Sequence, residues 1–479
     1  MTTALGAAGE LAIACLIERA PVASSLADSF REQGFTLALV GGSVRDAILG
    51  RLSNDLDFTT NAPPNISRTI LSTWAENVWD IGIAFGTVAA SRGSTTVEVT
   101  TYRSDSYGGE SRKPEVKYGK SIEEDLLRRD FTINAMALEL TQGAPQFIDP
   151  YDGLGDLALR ILQTPGTPQD SFSDDPLRML RAARFASQLN FEVSPEVLSA
   201  MRGMAPRISI ISAERVREEF SKILMSKNPR LGISLLVDTG IAEIILPEVP
   251  KLKLEIDEHH HHKDVYEHSL TVLEQAIELE DRLGGPNLVI RLAALLHDIG
   301  KPKTRNLIAG GGVSFHHHEV VGARLAKERL KALRFDGDTI EAVTSLIALH
   351  LRFHGYKDGE WTDSAVRRYV RDAGEFLNHL HVLTRADCTT RNKKKAAALS
   401  ATYQDLEDRI SVLMEQEELS KLRPDLDGSE VMQILNLKPS RAVGDALDFL
   451  LELRIDQGPL GPELAKDELM KWWEARGKK

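Results

Sequence analysis

The sequence is poor in the features that mark secreted, membrane-spanning or DNA-coating proteins. Its 479 residues contain two cysteines, Cys15 and Cys388, far apart in the chain. Neither has metal or redox spacing around it, so no disulfide framework is expected and a reducing compartment suits the chain. No apolar run is long enough to cross a bilayer. The first apolar stretch has no positive region before it and is followed at once by Glu18 and Arg19. A signal peptide is therefore not expected, and the chain is expected to be cytoplasmic, without a membrane partner. Excess positive charge is also missing: the net charge is -12. An evenly basic surface is excluded, so any contact with a phosphate backbone must come from local basic patches. No low-complexity tract and no internal repeat is present.

What is present is an ordinary globular composition, 42% hydrophobic and 27% charged, with a change of pattern partway along. Leu11 to Gln33 reads as one helix. "FTLALV", "GTVAASRG", "TTVEVTTYR" and "FTINAMALEL" then read as strands of one sheet. "YRSDSYGGESRKPEVKYG" has the composition of a mobile loop. After "ILQTPGTPQDSF" the strands stop and helical periodicity takes over. The expected organisation is an N-terminal helix (1–34), an α/β head (35–162), a helical neck (163–255), a second helical block (256–395) and a helical tail (396–479).

The densest chemistry lies in "LVGGSVRDAILGRLSNDLDFTT". A buried strand runs into Gly41-Gly42, where the absence of Cβ lets a ligand approach the backbone amides. The next helix begins near Ser43, and its free amides with Arg45 suit a phosphate. Asp55 and Asp57, two apart on a strand, project from one face. Two carboxylates so placed call for a cation, and Mg²⁺ shared with nucleotide phosphates is the natural choice. An isolated Asp-x-Asp is more often an exposed turn. A dinucleotide-binding reading lacks its third glycine, since Asp46 and Ala47 stand there.

Three further clusters stand out. Arg128, Arg129 and Asp130 sit where an acidic helix meets a strand; the alternative to a ligand role is a local Arg-Asp pair. "DDPLRMLRAARFASQL" reads as a helix capped by Asp174 or Asp175, with Leu177, Leu180, Phe185 and Leu189 as its buried stripe. Arg178, Arg181 and Arg184 follow one another at spacing three around another face, which a plain amphipathic helix would also show. An Asp beside an Arg offers an acceptor and a planar donor fork. Such a pair can meet the exocyclic amine and ring nitrogen of cytosine or adenine and reject uracil and guanine. The third cluster is an ordered series of His268, His297-Asp298, His318, His350, His354 and Asp387 around an apolar helix, whose polar groups need partners. Glu98 is either a third acid near the first pair or an outward strand residue. The runs His259–His262 and Arg391–Lys395 are most simply solvated surface, although the latter is a candidate RNA contact.

In this order the stretches resemble one family. "VGGSVRD" with "NDLDF" is similar to the first motif of the class II tRNA nucleotidyltransferases and bacterial poly(A) polymerases, members of the polymerase-beta-like superfamily. "EEDLLRRDFTINAMAL", "IDPYDGLGDL", "DDPLRMLRAARFASQLNF" and "ERVREEFSKIL" follow in the order of that family's motifs, over most of the chain. The histidine series looks like an HD domain, a divalent-metal phosphohydrolase fold. The resemblance implies an α/β polymerase-beta-like nucleotidyltransferase head followed by an all-α body that includes the HD domain. It implies template-independent addition of CCA to the 3′ end of tRNA from CTP and ATP, with Asp55 and Asp57 catalytic and holding Mg²⁺. Gly42, Arg45 and Arg129 would position the triphosphate and Asp130 the ribose. Asp175 and Arg178 would read the base, with Arg181 and Arg184 contacting the nucleotide further along. Many relatives have Glu where Asp174 stands, which leaves that residue without an assigned role. In the HD domain His268, His297, Asp298 and Asp387 would bind a second divalent metal, with His318 and one of His350 or His354 as additions. Phosphomonoesters or 2′,3′-cyclic phosphates on RNA ends would be its substrates. The expected partner is the tRNA acceptor end, held by backbone shape, and no DNA. The rivals are a poly(A) polymerase, a CC-only or A-only enzyme, and, in a different class, an HD phosphohydrolase with an RNA-binding head. The acid-rich tail favours CCA addition over poly(A) synthesis.

Overall fold

The computed structural model describes residues 2–82, 86–103, 119, 121–254, 264–307, 313–353, 356, 361–388, 393–417 and 423–476. The expected loop after Tyr102, His259–His262, His354 and Arg391 lie outside them, the loop apart from its two ends. The chain divides into two compact units, Met1–Ile245 and Leu246–Lys479.

In the first unit the start of the chain is two helices, α1 (Thr2–Arg19) and α2 (Val22–Glu32), where the sequence reads as one. Pro21 stands at the break, and its ring and missing N–H prevent a helix from running through. The strands β1 (Leu37–Val40), β2 (Asp55–Thr60), β3 (Asn77–Gly82), β4 (Thr87–Arg92), β5 (Thr95–Thr101), β6 (Ala137–Glu139) and β7 (Gln146–Ile148) form one sheet. Its order is β3-β4-β5-β2-β1-β6-β7, with β2 and β5 parallel and the other neighbours antiparallel. Every residue of β1 is buried, as its unbroken apolar run requires of a central strand. The helix α3 (Gly42–Ile48) lies between β1 and β2, and α4 (Pro64–Trp74) follows β2.

"FTINAMALEL" is only partly a strand. Thr132–Asn134 form a 3₁₀ turn, and β6 begins at Ala137. The Thr132 hydroxyl donates to Asp156 (2.6 Å) and the Asn134 amide donates to Asp130 (2.9 Å), so these side chains serve the turn rather than a ladder. Asp156 belongs to α6 (Gly153–Leu159), which packs on that turn. A Cβ at Gly153 would lie 2.2 Å from the Thr132 carbonyl oxygen, so only glycine permits the approach. The chain continues as α7 (Pro168–Asp174), α8 (Leu177–Leu189), α9 (Pro195–Met204), α10 (Ala213–Leu224), α11 (Pro229–Asp238) and α12 (Ala242–Ile245). A parallel pair of two-residue strands, Ile161–Leu162 with Glu192–Val193, is an exception to the helical reading here.

Among its described residues the second unit is helical apart from the short pair Asn306–Leu307 and Val313–Ser314. It begins with α13 (Val265–Glu278), α14 (Leu288–Leu296), α15 (Lys301–Thr304), α16 (His318–Ala332) and α17 (Gly337–Leu349). Helices at Asp363–Ala373, Leu377–Ala386 and Lys393–Glu417 follow, then helices at Gly428–Leu435, Arg441–Gln457 and Pro462–Arg476 around their own apolar cluster. Among the described residues no helix is long and apolar enough to cross a membrane.

Candidate active site and candidate metal centre

The glycine turn has its special backbone at Gly41, with φ +68°. A Cβ there would stand 2.8 Å from a guanidinium nitrogen of Arg129, so the turn and that arginine require glycine together. Gly42 faces Arg45, whose nearest guanidinium nitrogen would be 3.3 Å from an added Cβ. The Ser43 hydroxyl accepts a hydrogen bond from the Asp57 amide (3.0 Å) and so ties α3 to β2. Along β2, Leu56 and Phe58 are buried while Asp55 and Asp57 lie on the open face. Asp57 pairs in register with Glu98 of β5. In parallel strands this puts their side chains on one side of the sheet.

Three carboxylates thus share a patch. Crowding by protein raises the Asp57 carboxyl, and the Asp55 charge adds to the rise against the pull of Arg129. Glu98 is raised by burial and then by Asp57 and Asp55. A divalent cation fits this donor set, because all its atoms are hard oxygens and their mutual repulsion is relieved by positive charge.

A cleft of about 370 Å³ opens over the patch, lined among others by Asp57, Glu98, Arg129, Asp130, Asp175 and Arg178. Arg181 and Arg215 line it too. Arg129 and Arg128 both donate to Asp125, at 3.1 Å each. Asp125 is fully buried, and its carboxyl lies below the usual range because the two guanidiniums outweigh the effect of burial. Sequence reading passed over Asp125; its place one helical turn before Arg129 was the available signal.

Arg45 does not face the cleft directly. It donates to Asn134 (2.7 Å) and to Asp46 (3.1 and 2.9 Å). Asn134 in turn donates to Asp130, which accepts from Arg181 at 2.8 Å through Nε. One string of hydrogen bonds therefore runs from α3 to α8. Burial would raise the Asp130 carboxyl, but Arg181, assisted by Asn134, outweighs it and holds the group at about 2. This folded value lies below the usual 3.8, so the pair stabilises the fold fully above about pH 4 and loses that contribution as pH falls toward 2. The loss amounts to about 2 kcal/mol at roughly 1.4 kcal/mol per pH unit. Unfolding free energies of the wild type and Asp130→Asn, from urea titrations, should converge by that amount between pH 5 and pH 2.

At the other end of the cleft, Asp175 sits between α7 and α8. Its Oδ1 accepts from the Leu177 amide (3.1 Å) and its Oδ2 from Arg215 (2.8 Å). Arg178 donates to the Ser171 hydroxyl (2.9 Å) and to the Arg128 carbonyl. Arg184 is set back, 8% exposed, and pairs with the buried Glu219 of α10 (3.0 Å). Burial, with the charge of Arg181 next, lowers Arg184 to about 10. Asp174 is the last residue of α7.

In the second unit, His268 Nε2 lies 2.9 Å from Asp387 and 3.3 Å from His297 Nε2. His297 Nε2 lies 3.3 Å from Asp298 Oδ2, and His318 Nε2 lies 3.3 Å from Asp298 Oδ1. Among the described residues two groups have ligand spacing: His268, His297 and Asp387, and Asp298, His318 and His350. The Nδ1 atoms of His297, His318 and His350 face the backbone carbonyls of Ala294, Phe315 and Ile347 at 2.9, 2.8 and 2.6 Å. In His318 and His350 an Nδ1–H donating there leaves Nε2 as an inward lone pair. Nε2 of His318 and of His350 is buried without a hydrogen-bond partner. Burial would lower His297, yet Asp298 and Asp387 outweigh it and push the ring up to about 10, while burial and the His297 charge take His350 down to about 3. The site demands positive charge, and a divalent ion fits these ligands. Lys301, 2.8 Å from Asp298, supplies one charge from the protein.

The mixed sheet, with acids beneath a glycine turn and an arginine-bearing helix across the cleft, defines a nucleotidyltransferase of the poly(A) polymerase class. Residues 37–163 match the family model for the Poly A polymerase head domain. Residues 190–252 match the probable RNA and SrmB-binding site of polymerase A, and 265–392 match the HD domain. The chain is 32% identical over 446 residues to an A-adding tRNA nucleotidyltransferase of Deinococcus radiodurans, covering 91% of this chain and 95% of that one. It therefore belongs to the HD-containing family of tRNA nucleotidyltransferases and bacterial poly(A) polymerases, enzymes that depend on a divalent metal. A CCA-adding enzyme of Streptococcus gordonii is 38% identical over 232 residues, 48% of this chain and about half (56%) of that protein. The fold is shared with the Bacillus stearothermophilus CCA-adding enzyme in complex with CTP, at TM-score 0.66, 22% identity and coverage of 95% and 98%. It is shared also with the Thermotoga maritima CCA-adding enzyme complexed with tRNA, at TM-score 0.61, 18% identity and coverage of 96% and 98%.

Proposed function

We propose that this protein adds the 3′-terminal nucleotides of tRNA, CCA in full, from CTP and ATP without a template. The observation that carries the reading is the single cleft that joins the Asp57 and Glu98 carboxylates to Asp175 and Arg178. Asp55 and Asp57 would hold Mg²⁺, which when bound lowers the pKa of the RNA 3′-hydroxyl and steadies the leaving pyrophosphate. The chain's own groups do the rest. Gly41 and Gly42 let the phosphates approach the backbone, and Arg129, braced by Asp125, offers them its fork. Asp130 is the ribose-facing acid. Asp175 and Arg178 meet the base edge, Arg181 lies beside them, and Arg45 and Arg184 support the walls from behind. We place the head at 35–162, the neck at 163–255, the HD domain at 256–395 and the tail at 396–479, in a cytoplasmic enzyme.

The full-length likeness to an A-adding enzyme supports a second reading, in which this chain adds only the final A. One assay separates the two. A tRNA lacking its whole 3′ CCA and a tRNA ending in CC are supplied with CTP, ATP or both. CCA addition extends both substrates to the mature end. A-only addition extends the second alone, and long A tails on unrelated RNA would mark a poly(A) polymerase. For the second unit, His268, His297, Asp298 and Asp387, with His318 and His350, would hold divalent metal for hydrolysis of phosphomonoesters or cyclic phosphates.

A further inference from the structure

Arg215 lines the cleft but belongs to neither the acid patch nor the arginine series of α8. It stands in the first turn of α10 and reaches across to Oδ2 of Asp175 at 2.8 Å. We propose that Arg215 is a positioning residue that sets base selectivity, by holding Asp175 so that its carboxylate is a fixed acceptor at the base end of the cleft. The proposal rests on the reading of Asp175 and Arg178 as the base-facing pair.

The Asp175 carboxylate is held at two points. The Leu177 amide fixes Oδ1, and the Arg215 guanidinium fixes Oδ2. Arg178 is anchored by Ser171 and by the Arg128 carbonyl. Acceptor and donor therefore stand ready before a base arrives. A carboxylate that cannot turn away meets the amine of adenine or cytosine favourably and opposes O6 of guanine or O4 of uracil. Freed from Arg215, the same side chain can swing aside, which removes the repulsive half of the discrimination.

A purely structural role for Arg215 is at odds with its setting. Its side chain is 50% exposed, where an ion pair adds little to stability. The α8–α10 contact already has a buried clasp one turn further along α10, Arg184 with Glu219. Fold and selectivity are thus carried by different residues of one helix face.

The test is kcat/KM for ATP, CTP, GTP and UTP on tRNA primers ending in CC or lacking CCA, with thermal midpoints, for the wild type, Arg215→Ala, Arg215→Lys and Asp175→Ala. In Arg215→Ala the preference for ATP over GTP, or for CTP over UTP, should fall by roughly tenfold or more with an unchanged thermal midpoint. Arg215→Lys should recover part of it, and the double variant Asp175→Ala/Arg215→Ala should be no less selective than Asp175→Ala. Unchanged preferences in Arg215→Ala, or an equal loss for all four nucleotides that tracks a lower midpoint, overturn the inference. A wild type that transfers no nucleotide overturns the reading of the cleft itself.

Discussion

Replacing Asp57 with alanine is expected to cut nucleotide transfer by roughly 10²- to 10³-fold, in line with removal of a principal electrostatic group, while the protein stays folded. Asp57 sits on the open face of β2, in register with Glu98 and beside Asp55; after burial, the Asp55 charge adds to the rise of the Asp57 carboxyl, and both aspartates add to that of Glu98. A fold that keeps such a group does so for what it binds. Removing one of three like charges should leave the thermal midpoint unchanged or slightly higher, the mark of a residue kept for function at some cost in stability. Asp57→Asn should lose as much activity as Asp57→Ala, because charge rather than shape holds the cation. The measurement is extension of a labelled tRNA in saturating ATP, CTP and Mg²⁺. Transfer at wild-type rate by either variant would refute the assignment of the catalytic acids.

The second large effect concerns metal content. Asp298 belongs to the second group of ligands, facing His318 through Oδ1, and its Oδ2 lies beside His297 of the first. Asp298→Ala should therefore strip the second unit of divalent metal. His350→Ala removes one ligand of the second group and should lose about half of the metal, the part held beyond His268, His297 and Asp387. Elemental analysis after dialysis, in an Asp57→Ala background that disables the head site, reads both. Full metal retention in His350→Ala would remove that histidine from the ligand set. Retention in Asp298→Ala would remove Asp298 from the ligand set, and a parent protein that holds no divalent metal would mean the cluster is a hydrogen-bonded core and nothing more.

Much of this site was legible because its chemistry is local. Asp55 and Asp57 share a face by strand alternation alone, and His297-Asp298 follow one apolar helix. The partners that fix these groups were not legible, because they come from distant parts of the chain. Asp130 meets Arg181 across 51 positions, and Asp175 meets Arg215 across 40. No periodicity in the sequence records such pairings. The misread strand after Phe131 has the same origin: β-branched and apolar residues suggested a ladder, but Thr132 and Asn134 are held by Asp156 and Asp130. The break at Pro21 is local, since a proline ends the helix that the apolar pattern alone would continue.

The string Arg45, Asn134, Asp130, Arg181 carries one more implication. It ties the helix that follows the glycine turn to α8 through side chains alone. If α8 faces the base as proposed, a shift of that helix would reach Arg45 through this string. A lesion at any of those four side chains should then lower nucleotide discrimination and transfer rate together, which kcat/KM for ATP against GTP would read.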